Sequence, residues 1–251
     1  MYSRLISWRA GSWGLRAAAF YPPFLFLVMK NFIGVGSLLG GLFLLVHLSS
    51  FQAGPAQPSA TTIQAITGFF HNQLTAFTAQ TATYLATGEA YAAGKISQKE
   101  LQEVHLATRL AFKRGSFLME YNDRYAIKKE INGAPLPAVE PAVPEVYVIE
   151  PSGLQVLDEI VFEEEIDTDA LLQKLTQLNK AVKKISMYQS GILLEHRKIL
   201  EASRLELIRI FTLGLTGFDT PGSLNAIPEA IASLESLEFA LQQYIPFLEK
   251  E

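Results

Sequence analysis

The sequence predicts an all-α protein, an up-and-down bundle of about five helices with one Pro-rich connection over 131–151. Three observations predict it. Apolar residues recur at three- and four-residue spacings along most of the chain from residue 61 onward. Pro135, Pro137, Pro141, Pro144 and Pro151 crowd one stretch, too closely for any helix to survive there. Within that stretch only Val146-Tyr147-Val148-Ile149 reads as extended or as a short edge strand, and no internal repeat suggests a solenoid.

Taken in order, Thr61–Ala90 carries Ile63, Ile66, Phe69, Phe70, Leu74, Phe77 and Tyr84 along one stripe, the mark of an amphipathic helix. Ser97-Gln98-Lys99-Glu100 is a capping box, in which hydroxyl and carboxylate satisfy free backbone N–H groups reciprocally. A helix of about 25 residues follows, through Leu101, Val104, Leu110, Phe117 and Tyr121. Asn132-Gly133 is a turn that opens the Pro-rich connection. Helical periodicity resumes at Gly153 with Leu154, Leu157, Ile160 and Val161, and stops at the acid run Glu163-Glu164-Glu165. Asp167 or Thr168 caps the next helix, where Leu171, Leu175, Leu178, Val182 and Ile185 alternate by four and three. The pattern predicts continuation past Gly191 through Ile199, Leu205, Ile208 and Phe211 to the stop signal at 213–222. A last helix, about Pro228–Glu249, puts Ile231, Leu234, Leu237, Leu241, Tyr244 and Leu248 on one face.

Composition narrows the chemistry. The chain has 251 residues, 49% apolar and 18% charged, which excludes disorder and collagen. It has no cysteine, and so no disulfide, thiolate zinc site, iron–sulfur cluster, Cys nucleophile, lipoprotein anchor or Cys-x-x-Cys-His haem attachment. Residues 1–56 hold Arg4, Arg9, Arg16 and Lys30 and no acid, leaving 17 basic and 25 acidic residues and a net charge of −8 on the remainder. That balance argues against a nucleic-acid partner.

Residues 29–53 have the layout of a secretory signal peptide: Lys30, an apolar stretch, then Ser49, Ser50 and Ala53, with cleavage expected between Ser50 and Ala56. The competing reading is a membrane anchor over 32–48, near the lower limit of a span. Residues 1–28 precede a complete signal starting at Met29 and read as a mis-assigned upstream extension; 54–60 is a linker and 61–250 the helical domain. The expected location is periplasmic or otherwise exported.

Candidate ligands and catalysts are sparse. His71, His105 and His196 stand alone, with no His-x-x-x-His or Glu-x-x-His pair, and read as solvated or singly hydrogen-bonded. Asp158-Glu159 and the run at 163–165 offer carboxylates, and a helix places Asp158 with Glu165, or Gln155 with Glu159, on shared faces that could hold a hard cation or iron. An acidic helix end is more commonly just a solvated one, although three consecutive acids there oppose the helix dipole. No Gly-x-Ser-x-Gly, His-Glu-x-x-His or Gly-x-x-x-x-Gly-Lys occurs, and Gly214 and Gly217 end a helix rather than follow a strand. The residues alone describe an acidic helical domain with no catalytic motif.

Four stretches go further. Asn132–Pro137, Glu150–Glu159, Phe117–Tyr121 and Thr212–Pro221, the last containing Gly217, Phe218 and Asp219, together resemble the amino-terminal helical region of di-haem cytochrome c peroxidase-like proteins of Bacteroidetes, over about residues 60–245. Members hold two c-type haems through Cys-x-x-Cys-His, which this chain lacks, so the resemblance implies haem only in a partner or a missing domain. It implies a non-catalytic module docking against a di-haem peroxidase domain or another envelope protein, or else the remnant of a truncated peroxidase gene. More distantly the region is similar to imelysin-like proteins, exported and linked to iron uptake, whose Gly-x-His-x-x-Glu falls on Gly153, Gln155 and Asp158. That similarity implies a metal site at Gln155, Asp158 and Glu159, with His71 or His105 as further ligands, although an amide replaces the histidine. On the docking reading Gln155 is structural, its amide serving loop backbone groups that the prolines leave without a ladder.

Overall fold

The computed structural model describes residues 60–141 and 146–248. The upstream extension 1–28, the signal peptide 29–53, the anchor reading of 32–48 and all but the last residue of the linker 54–60 lie outside the described residues.

The described chain is mostly helical: α1 (Ala60–Ala92), α2 (Gln98–Asn122), α3 (Leu154–Phe162), α4 (Thr168–Gln189), α5 (His196–Arg209) and α6 (Ala226–Gln242). α2 is the central element, packed against α1, α3, α5 and α6, while α4 lies on α1 and α3. The predicted stripe of α1 faces inward, with Ile66, Phe70, Leu74, Phe77 and Tyr84 buried against α2 residues such as Leu101 and Phe112. Ser97 and Glu100 form the expected capping box at the start of α2.

Two features depart from the predicted pattern. Helix does not continue past Gly191: α4 stops at Gln189, whose buried side chain turns inward to donate to the Met119 carbonyl at 3.0 Å. A new helix starts at His196 with its apolar residues still in phase, which hides the break from periodicity. The last helix is also shorter than predicted. Pro246 has no N–H to return to Gln242, so α6 closes there and a single turn, Ile245–Leu248, follows.

The Pro-rich connection contains two strands where one was expected. β1 (Ala138–Pro141) pairs antiparallel with β2 (Val146–Ile149), Ala138 opposite Ile149 and Pro141 opposite Val146. An isolated two-stranded ribbon tolerates a proline because its outer edge needs no donor. The ribbon is tied down at its base, where Asn132 bridges Gly153 and the Lys174 Nζ donates to the Pro151 carbonyl at 2.7 Å.

Two π-helical turns complete the framework, Ile127–Ile131 and Ile210–Gly214. Each closes with an N–H reaching five residues back, Asn132 to Ile127 and Leu215 to Ile210, both at 2.8 Å. The chain leaving each turn runs into the site described next.

Candidate functional site: a buried charge network

Helix α2 carries His105, Arg109 and Lys113 at four-residue intervals, which puts all three on one stripe. That stripe faces inward, all three side chains being buried. α3, the 219–223 loop and the start of α6 supply their partners. α3 begins at Gly153, where φ is +105° and a Cβ would lie 2.5 Å from the Ile131 carbonyl oxygen. Only glycine fits, and this close approach sets the direction of α3 so that Gln155 and Asp158, three apart, share its buried face.

Asp158 is the acceptor at one end. Its Oδ1 receives the His105 Nε2–H at 2.8 Å, and its Oδ2 receives the backbone N–H groups of Gly222 and Ser223 at 2.7 and 2.9 Å. Burial alone would raise this carboxyl, but the His105 hydrogen bond and the Arg109 charge bring it down to about 2. The His105 ring is shifted the other way: burial lowers its pKa further than the Asp158 bond restores it, so the ring is neutral. With Nε2 donating to an ionised carboxylate, Nδ1 is left to accept the Tyr84 O–H at 2.8 Å. Burial, then the Asp158 charge, keeps that phenol well above its ordinary pKa.

Arg109 occupies the centre. Its Nε and Nη2 fork onto the Glu229 carboxylate, the Nη2–Oε2 distance being 2.9 Å, and Nη2 also donates to the Asp219 carbonyl at 2.5 Å. Burial would lower its pKa, but Glu229 and Asp158 reverse that and hold the guanidinium charged. Lys113 Nζ stands between Asp219 Oδ2 at 2.7 Å and Glu229 Oε2 at 3.6 Å. Gln155 donates from Nε2 to Asp219 Oδ1 at 3.0 Å and to the Asn132 carbonyl at 3.3 Å. Asp219 is buried, yet Lys113 holds its carboxyl below the usual range.

A flanking group extends the network. Arg209 bridges Glu206 at 2.9 Å and Glu120 at 2.5 Å, and Ser116 donates to Glu206 at 2.8 Å. Glu120 is the weak member: burial pushes its carboxyl up to about 7 in spite of Arg209, helped by the neighbouring Glu206 charge.

This arrangement stores charge and leaves little room for chemistry. The cavity among Lys113, Glu206, Arg209, Asp219 and Glu229 measures about 10 Å³, room for one water at most. The acceptor oxygens of Asp158 and Asp219 already take hydrogen bonds from the protein, and the Tyr84 hydroxyl that donates to the neutral His105 ring is fully buried. Among the described residues no three His, Asp or Glu side chains converge so as to hold a metal ion. The donor set does not suit one: Asp158 and His105 are spent on each other and their neighbours, and the Gln155 amide nitrogen faces Asp219.

The sequence-predicted residues divide accordingly. Gly153, Gln155, Asp158 and Asp219 come together, so two stretches quoted for the family resemblance meet in one network. Glu159 does not join them. It is exposed, one position round the helix from Asp158, and the metal set of Gln155, Asp158 and Glu159 is not assembled. Gly217 supplies a positive φ of +78° that turns the chain inward, and Phe218 is 54% exposed beside it. His105, expected to be solvated or singly bonded, is buried with both nitrogens engaged. His71 lies apart in a surface groove with Leu74, Thr78 and Met187, and His196 meets the Tyr244 hydroxyl at 3.1 Å. The acid run Glu163–Glu165 is exposed.

Sequence reasoning missed Arg109, Lys113, Glu206 and Glu229. Their signal was present: Glu206 lies between Leu205 and Leu207, and Glu229 is the one acid in Ala226–Leu234, an otherwise apolar and small-residue stretch. A charge inside an apolar stretch is buried only if it is paired.

Comparison with protein-family models and with characterised proteins finds no match to this chain. Among the described residues no helix is long and apolar enough to cross a membrane.

Proposed function

We propose that the chain is an exported, non-catalytic module, an up-and-down bundle of about five helices that serves a di-haem cytochrome c peroxidase-type system as a docking or accessory domain. The observation that carries this reading is the mutual pairing of the charges in the buried network, which leaves only neutral or already-paired groups such as Gln155 Oε1 and Arg109 Nη1 with an unpartnered atom. Its charges face one another around a cavity of about 10 Å³, so they act as internal scaffolding, and function falls to the surface.

The surface it serves is the Pro-rich connection. Gln155 reaches from the network to the Asn132 carbonyl, and Asn132 in turn bridges Gly153, so the base of the β1–β2 ribbon is rigidly placed. Beside the ribbon lie two grooves, of about 400 and about 300 Å³, that share Lys129, Ile149, Glu150 and Ser152. Leu136, 69% exposed, lines the second and offers an apolar anchor to a partner. Haem belongs to that partner.

Titrating the protein into a purified di-haem c-type peroxidase domain, followed by calorimetry, tests the reading. Saturable one-to-one binding is expected, weakened about tenfold or more by Leu136→Asp. No heat of binding at concentrations of about 100 μM would reject the partner. Iron or another metal at one equivalent in protein purified without chelator would reject the scaffolding role of Gln155 and Asp158.

A further inference from the structure

We propose that a second copy of this chain docks on the outer face of α5 and α6, forming a two-fold dimer through a four-helix seam; this goes beyond the partner proposed above and uses other residues. Both helices are apolar on two sides. α5 buries Ile199 and Ala202 inward, and α6 buries Leu237 and Ala240, yet their outward faces are apolar too. On α6 and the turn after it, Ile227, Ile231, Leu234, Leu241 and Ile245 follow the four–three alternation of a coiled-coil seam, interrupted once by Glu238. On α5 and the π turn after it, Leu200, Leu207, Phe211 and Leu215 make a matching row, interrupted once by Arg204. Phe211 is 68% exposed, Ile227 60% and Ile231 51%.

The extent of this face points the same way. Four large apolar side chains on α5 and four on α6 are each 38–60% exposed, more than the singly scattered apolar residues of an ordinary monomer surface.

Register and charge select a second copy as the occupant. α5 and α6 run antiparallel, since His196 at the start of one meets Tyr244 just past the end of the other, and the π turn at the far end packs on α6. A two-fold axis parallel to the helices preserves height, so α5 of one copy meets α6 of the other in the register they hold within a chain. In that register Leu200 faces Leu241, Phe211 faces Ile231 and Leu215 faces Ile227, each within about one helical turn. The two interruptions then coincide, Arg204 of one copy against Glu238 of the other, twice over. Pairing α6 with α6 would instead set Glu238 against Glu238, a like-charge contact at the one polar position of the seam.

The absence of cysteine makes the test clean, because a single introduced thiol can only link two chains. Full-length Phe211→Cys and Ile231→Cys proteins are mixed and oxidised. The expected product is a covalent species at twice the 27.8 kDa chain mass, formed several-fold faster in the mixture than by either variant alone or by a Leu136→Cys control. In sedimentation, Arg204→Glu is expected to raise the dimer dissociation constant about tenfold, and Arg204→Glu with Glu238→Arg to bring it back. Helicity unchanged by circular dichroism separates these effects from misfolding. A monomer at tens of micromolar, cross-linking no faster than the control, or failure of the charge reversal to rescue would each overturn the proposal. The calorimetric titration with the di-haem domain reads the Leu136 surface and is decided independently.

Discussion

Gln155 holds two chain segments with one amide group. Its Nε2 serves both the Asp219 carboxylate and the Asn132 carbonyl, joining the 219–223 loop to the foot of the ribbon. Gln155→Leu keeps the volume and removes the donor, leaving a buried carboxylate oxygen and a carbonyl short of a partner. The expected loss is about 1–3 kcal/mol, read as a lower melting temperature with metal content unchanged; an unaltered melting temperature would deny Gln155 its structural role. Glu120 makes the opposite kind of prediction. Its carboxyl is raised by burial to about 7 in the folded chain, so the folded state holds a proton that the unfolded state has released between about pH 4.5 and 7. Stability from this group is present at low pH and lost as pH rises through 7. Glu120→Gln, which cannot ionise, should therefore gain on the wild type by up to about 3 kcal/mol between pH 5 and pH 8, measured by denaturant unfolding at the two values. Asp158 works in the other direction, its carboxyl held down to about 2, so its contribution stands above about pH 4 and falls away only in stronger acid.

At the scale of elements, the legible parts are those written locally. The stripe of α1, the capping box of α2 and the Asp167 cap of α4 each lie within a few residues of sequence, and each forms as read. β1 was illegible because Pro137 and Pro141 bracket it and a proline normally argues against a strand; the ribbon has a free edge that admits them. The break after Gln189 was illegible because the apolar phase carries across it. The network was illegible for a different reason: Gln155 and Asp219 are 64 residues apart and Arg109 and Glu229 are 120, and one sequence carries no signal for such pairings. Glycines show the contrast in miniature. A Cβ on Gly222 would sit 2.4 Å from the Asp158 carbonyl oxygen, while one on Gly68, exposed in the middle of α1, would meet nothing within 4 Å. Gly222→Ala is expected to pull two N–H donors off the Asp158 carboxylate and cost about 2–3 kcal/mol, whereas Gly68→Ala should stabilise by about 0.5–1 kcal/mol. Denaturant midpoints that moved in the same direction for both would contradict this account of the 219–223 loop.

For the molecule as a whole, helical class follows from periodicity, while the division of labour between inside and outside does not. The polar groups expected to face solvent or metal at His105 and Asp158 are internal, and the apolar rows of α5 and α6, expected to be core, are partly external. The network also dictates how the chain can come together. Its members arrive from three distant stretches, 105–113, 155–158 and 219–229, so Arg109 and Lys113 can leave water only together with Glu229 and Asp219. A state that buried either cation without its acid would be penalised by several kcal/mol. Closing the inner face of α2 is therefore expected to wait on the longest-range contact of the network, which needs residue 229.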